Sequence, residues 1–87
     1  MPGKLVVCPT PIGNLEDITL RVRRALHEAD AIACEDTRRT GLLLERLEIE
    51  AQHRLVSYHE GNEADRAREL AQRIERGDSV ALVSDAG

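Results

Sequence analysis

Glu35 and Asp36 stand side by side and are followed by Thr37, Arg38, Arg39 and Thr40. Adjacent carboxylates suit several kinds of chemistry. One can take a proton from a hydroxyl, accept hydrogen bonds from a ribose, or hold magnesium through oxygen. Acids ahead of a helix are also mildly stabilising, although capping explains one acid more readily than two. Arg38 is the type of side chain that grips phosphate in a fork. Arg39 reads instead as an exposed ion-pair partner of Glu35, Asp36 or Glu45, a weak kind of contact. His59 and Glu60 are the competing source of a base and are followed by Gly61 and Asn62. Pro9-Thr10-Pro11-Ile12-Gly13-Asn14 reads equally as a rigid turn or as a stiff cradle whose amides approach a ligand. Asp85-Ala86-Gly87 is the fourth such segment. Neither a G-x-G-x-x-G fingerprint nor a phosphate loop of the G-x-x-x-x-G-K-[ST] type occurs.

Each segment follows a short apolar run. Lys4-Leu5-Val6-Val7-Cys8, Ala31-Ile32-Ala33-Cys34, Arg54-Leu55-Val56-Ser57-Tyr58 and Ser79-Val80-Ala81-Leu82-Val83-Ser84 read as strands, mostly buried on both faces. Between them lie three helical patterns. Residues 17–29 place Ile18, Val22, Ala25, Leu26 and Ala29 on one face. A second helix, with Thr37 as its expected cap, carries Leu43, Leu44 and Leu47 inward. The third is capped by Asn62, with Asp65 completing a capping box, and carries Ala67, Leu70, Ala71 and Ile74 to Gly77. The alternation predicts an α/β fold: βαβ units, a mostly parallel sheet and helices on its faces. In such sheets ligands bind outside the carboxyl ends of the strands. All four polar segments fall at that edge.

Composition narrows the function further. The net charge is −4 over 87 residues, so bulk electrostatic attraction to nucleic acid is excluded. Eleven of the 12 basic residues are Arg. Cys8 and Cys34 are too far apart for a zinc pattern and read as small buried hydrophobes. The absence of a metal-ligand pattern predicts no metal centre. No apolar run is long enough to span a membrane and no secretion signal is evident, which makes a cytoplasmic setting the expectation. The chain ends directly after its fourth strand, with no helix to follow. It therefore reads as a single N-terminal α/β domain, residues 1–87, cut before a second domain. An uncovered apolar face on that last strand predicts self-association, as a homodimer or otherwise.

Taken together, Pro9-Thr10-Pro11-Ile12-Gly13-Asn14-Leu15-Glu16-Asp17-Ile18-Thr19, Ala33-Cys34-Glu35-Asp36-Thr37-Arg38, Ser57-Tyr58-His59-Glu60 and Ala81-Leu82-Val83-Ser84-Asp85-Ala86-Gly87 closely resemble the ribosomal RNA small-subunit methyltransferase I family. That family sits within the tetrapyrrole methylase superfamily, and the resemblance covers essentially the whole chain. It implies a two-domain enzyme that uses S-adenosylmethionine to methylate a cytidine ribose 2′-hydroxyl in small-subunit ribosomal RNA. The cofactor cleft would be completed by the second domain, so the 87-residue chain is expected to be inactive alone.

With that reaction in view, Glu35 or Asp36 is the expected base, with His59 and Glu60 as alternatives. Pro11, Gly13, Asp85, Ala86 and Gly87 would border the cofactor. Arg38, Asn14 and Asn62 would contact the RNA. A tetrapyrrole C-methyltransferase of the same superfamily is the rival, but Pro-Thr-Pro-Ile-Gly-Asn departs from the glycine-rich loop usual there. A non-catalytic α/β binding module is the other. A phosphoacceptor receiver is disfavoured, lacking paired acids near the first strand and a late Lys.

Overall fold

The computed structural model of the chain describes residues 3–11 and 18–86. Four strands, β1 (Lys4–Pro11), β2 (Ala31–Cys34), β3 (Leu55–Ser57) and β4 (Ser79–Ala86), form one sheet in the order β1-β4-β2-β3. Every pair is parallel. Helices α1 (Leu20–Glu28), α2 (Thr37–Arg46) and α3 (Glu63–Glu75) connect them, as the alternation predicts.

The helices divide between the two faces. Val22 and Leu26 of α1 and Leu44 of α2 pack with Cys8, Ile32 and Ala81 on one side. Leu70 and Ile74 of α3 pack with Ala31, Ala33, Val80, Val56 and Leu82 on the other. Period-two alternation along the strands explains the split, since Val80 and Ala81 point to opposite faces and both are buried.

Several boundaries differ from expectation. The first strand continues through Pro9 and Pro11 instead of ending at Cys8, because β1 lies at the margin of the described sheet. A proline there breaks no inward ladder bond. Asp85 and Ala86, expected in a loop, extend β4 and stand in register with Thr10 and Pro11. Helix α1 begins at Leu20, capped by Thr19, whose hydroxyl accepts from the Val22 amide at 3.1 Å. Arg54 belongs to a 3-10 turn (residues 52–54) before β3. Its guanidinium donates to the carbonyls of His27 and Ala29, tying β3 to the end of α1.

Two caps also move. Asp36, not Thr37, caps α2. Asn62 does occupy the cap position of α3, but its side chain makes no capping bond. Asp65 pairs with Arg68 at 3.2 Å in place of closing a capping box. Gly77 ends α3 at φ 101°, a left-handed conformation favouring glycine, as its position predicts.

The fourth strand is not the uncovered element that the sequence suggests. β4 is interior, flanked by β1 and β2, with α3 and α1 on its two faces. The exposed apolar surface lies on β1, where Leu5 is 53% and Val7 57% exposed.

Candidate functional site

The carboxyl ends of β2 and β3 are neighbours, yet their chains leave in opposite directions. After β2 the chain passes to α2 on one face; after β3 it passes to α3 on the other. This divergence opens a crevice at the edge of a parallel sheet, the usual place for a ligand. Residues 34–36, 39 and 40 line it, with Tyr58 beyond β3 and residues 82–84 of β4.

A cavity of about 250 Å³ opens there, lined among others by Glu35, Asp36, Arg39, Thr40, Tyr58 and Ser84. The two acids differ in what they touch. Asp36 is extended, and its Oδ1 accepts from the amides of Arg38 at 3.0 Å and Arg39 at 3.1 Å. Glu35 is exposed, and its carboxylate has no hydrogen bond or ion pair among the described residues. One acid builds the helix start; the other does not.

Cys34 closes the floor, its thiol 4.0 Å from the Val56 carbonyl. Burial pushes that thiol above its ordinary range; a hydrogen bond with buried Thr40 acts against this, while the charge of Asp36 adds to it. The thiol is therefore neutral and packing, not a nucleophile. Cys8 is likewise pushed up by burial, and the two cysteines are free. Among the described residues no His, Cys, Asp and Glu cluster fit for a metal occurs.

The other expected site residues fall into three groups. Arg38 does not line the cavity. It lines a separate groove between α2 and β3, with Thr37, Gly41, Leu42, Glu45 and Leu55. Arg39, read from sequence as an ion-pairing residue, takes the place at the cavity. Helical phase could have found it: Arg39 lies four residues before the inward Leu43, and Arg38 four before Leu42, which is exposed. Thr40, Tyr58 and Ser84 were missed as well. Thr40 lies four before buried Leu44, so the same phase argument reaches it.

His59 and Glu60 are exposed just beyond β3. Asn62 turns back into its own loop. Its Oδ1 accepts from the His59 amide at 2.9 Å, and its Nδ2 donates to the Ser57 carbonyl and hydroxyl at 3.3 and 3.2 Å. Pro11, Asp85 and Ala86 lie in the paired ends of β1 and β4, at the same sheet edge. Gly13, Asn14 and Gly87 lie outside the described residues.

Known proteins are similar to the chain over nearly its whole length. A ribosomal RNA small subunit methyltransferase I from Escherichia coli O157:H7 is 51% identical over 85 residues, 98% of this chain and 29% of that protein. Proteins of the same name from Micromonospora olivasterospora and Thermotoga maritima are 53% and 48% identical over the same share of this chain. They are covered over 26% and 37% of their own lengths. The chain thus spans between a quarter and two fifths of the relatives it matches. The family model of tetrapyrrole (corrin/porphyrin) methylases matches residues 4–87. With a parallel sheet, helices on both faces and this degree of identity, the chain belongs to the tetrapyrrole methylase family.

Proposed function

We propose that this chain is the N-terminal α/β domain of a longer, cytoplasmic methyltransferase. It would transfer a methyl group from S-adenosylmethionine to a cytidine ribose 2′-hydroxyl of small-subunit ribosomal RNA. The observation that carries the reading is the Glu35 carboxylate at the crevice, without a partner among the described residues and next to an acid that caps α2. The relatives' name supplies the substrate class. No helix among the described residues is long and apolar enough to cross a membrane.

The described residues fit one wall of a cofactor site. A cavity of about 250 Å³ is smaller than the roughly 300–1,000 Å³ usual for ligand pockets. A second domain would supply the remaining walls, and the 87-residue chain alone would be inactive. Bound cofactor supplies an electrophilic methyl group on a positively charged sulfur. Pro11, Asp85 and Ala86, at the paired ends of β1 and β4, would border it, together with Gly13 and Gly87, which lie outside the described residues.

The residues of this edge would hold the ribose oxygen in line with that methyl group, so that the oxygen gains the methyl as its proton is removed. Glu35 takes the proton that the ribose hydroxyl loses. A neutral hydroxyl is a poor nucleophile, and a positioned base contributes roughly 10²–10⁴-fold. Asp36 fixes the start of α2 and so the placement of Glu35. Arg38, on the outer groove, offers its guanidinium to the RNA backbone.

The direct test supplies the full-length protein with isotope-labelled S-adenosylmethionine and small ribosomal subunits lacking the modification. Label recovered as 2′-O-methylcytidine is the expected result. Label on a base, or on an added corrin or porphyrin precursor with none on RNA, would replace this reading with the C-methyltransferase one.

A further inference from the structure

We propose that His59 meets the RNA as a hydrogen-bond donor through Nε2–H, with its tautomer set by Gly61 and its backbone held by Asn62. The RNA role rests on the methyltransferase reading above; the tautomer does not.

The Gly61 amide donates to His59 Nδ1 at 3.0 Å. A ring nitrogen that accepts a hydrogen bond carries no proton, so the neutral imidazole holds its proton on Nε2. A general base needs a lone pair aimed at the substrate. Here the lone pair is directed back at the main chain, and the free nitrogen presents a proton. His59 is thereby a donor suited to an acceptor oxygen of the RNA strand, and the base is left to a carboxylate, Glu35 in the reading above.

The surrounding loop is built to keep the ring there. Asn62 Oδ1 takes the His59 amide at 2.9 Å, and the Asn62 amide donates to the His59 carbonyl at 3.0 Å. Asn62 Nδ2 in turn anchors on Ser57 at the end of β3. The Tyr58 amide donates to the Cys34 carbonyl at 2.8 Å, which fixes the loop to β2 across the crevice. Gly61 lets the ring approach closely. A Cβ there would lie 3.0 Å from His59 Cε1 and 3.2 Å from Nδ1, so the ring would have to shift outward. Gly61 and Asn62 are thus positioning residues, which accounts for an Asn that spends its amide on its own loop.

Two measurements test this. On the ¹⁵N-labelled 87-residue chain at alkaline pH, a scalar coupling through the hydrogen bond should join the Gly61 amide nitrogen to His59 Nδ1, with Nε2 protonated. Gly61→Ala should weaken the coupling by shifting the ring outward. A proton on Nδ1 in the wild-type chain, or no coupling, would overturn the assignment. In the full-length protein, His59→Ala should raise KM for unmodified small subunits about tenfold, the worth of one hydrogen bond to a polar or charged acceptor, with kcat nearly unchanged. His59→Gln, which keeps an N–H donor, should restore most of the loss. A fall of about 100-fold or more in kcat in both variants would make His59 the base. Unchanged KM in both would remove it from the RNA. A wild-type protein inert on small subunits would remove the methyltransferase reading and the RNA role together, while the tautomer would still stand or fall on the coupling.

Discussion

Replacing Asp36 by Ala and Glu35 by Gln should separate two carboxylates that sequence cannot tell apart. Asp36 Oδ1 accepts from two amides of the first turn of α2, at 3.0 and 3.1 Å. Those amides have no intrahelical partner. Losing such a cap costs about 1 kcal/mol, with about 2 as the upper end. For a domain of this size each kcal/mol moves Tm by roughly 4–8 °C, so Asp36→Ala should lower Tm by at least about 4 °C. Asp36→Asn keeps a good capping oxygen and should cost only a few tenths of a kcal/mol, roughly. Glu35 is exposed and has no partner among the described residues, so Glu35→Gln should stay within about 0.5 kcal/mol of the parent.

Turnover should show the reverse order. In the full-length protein Glu35→Gln should lose about two orders of magnitude or more in kcat, with cofactor affinity nearly unchanged. Asp36→Asn should stay close to the parent rate. Thermal melts of the 87-residue variants and single-turnover methylation of small subunits by the full-length variants are the two assays. Near-parental turnover in Glu35→Gln would refute the assignment of the base. An unchanged Tm in Asp36→Ala would refute the division of labour from the other side, because the cap would then carry no stability.

Two further outcomes concern the cysteines and the exposed strand. Cys34 and Cys8 have thiols pushed up by burial, so the folded chain holds thiol protons that the unfolded chain releases above about pH 8.5. The stability they contribute is complete below that pH and declines as pH rises toward the higher folded values. The urea midpoint should therefore fall between pH 7 and pH 9.5, and fall less in a Cys8→Ala, Cys34→Ala double variant; equal falls would place the pH dependence elsewhere. Leu5 and Val7 expose apolar surface on a strand with one unpaired edge among the described residues, which favours association of the isolated chain. Leu5→Thr with Val7→Thr should shift sedimentation toward monomer, whereas a wild-type chain already monomeric at high concentration would remove β1 as the cause.

The order of elements was legible because apolar runs and helical periodicity alternate without ambiguity, and Gly77 marks the end of α3 as its left-handed φ requires. The ligand edge followed from the same alternation. Strand order was written less openly, but β1 carries two prolines while the apolar stretch of β4 carries none. That contrast assigns edge and interior, and it would have removed the expectation of an uncovered fourth strand. The cap of α2 slipped by one residue because Asp36 and Thr37 are both capping types, and only the extended backbone at Asp36 decides between them. The choice between Arg38 and Arg39 was within reach of periodicity, through Leu42 and Leu43. The roles of His59 and Asn62 were not. They depend on a loop fold in which an amide meets a ring nitrogen across two residues, and no spacing rule encodes that. A carboxylate or an imidazole seen in sequence is a list of possible protonation states; the amides of Arg38, Arg39 and Gly61 commit Asp36 to capping and His59 to donation. In the proposed reaction this leaves Glu35, with the exposed Glu60 as its alternative, as an acid of this edge with no partner among the described residues.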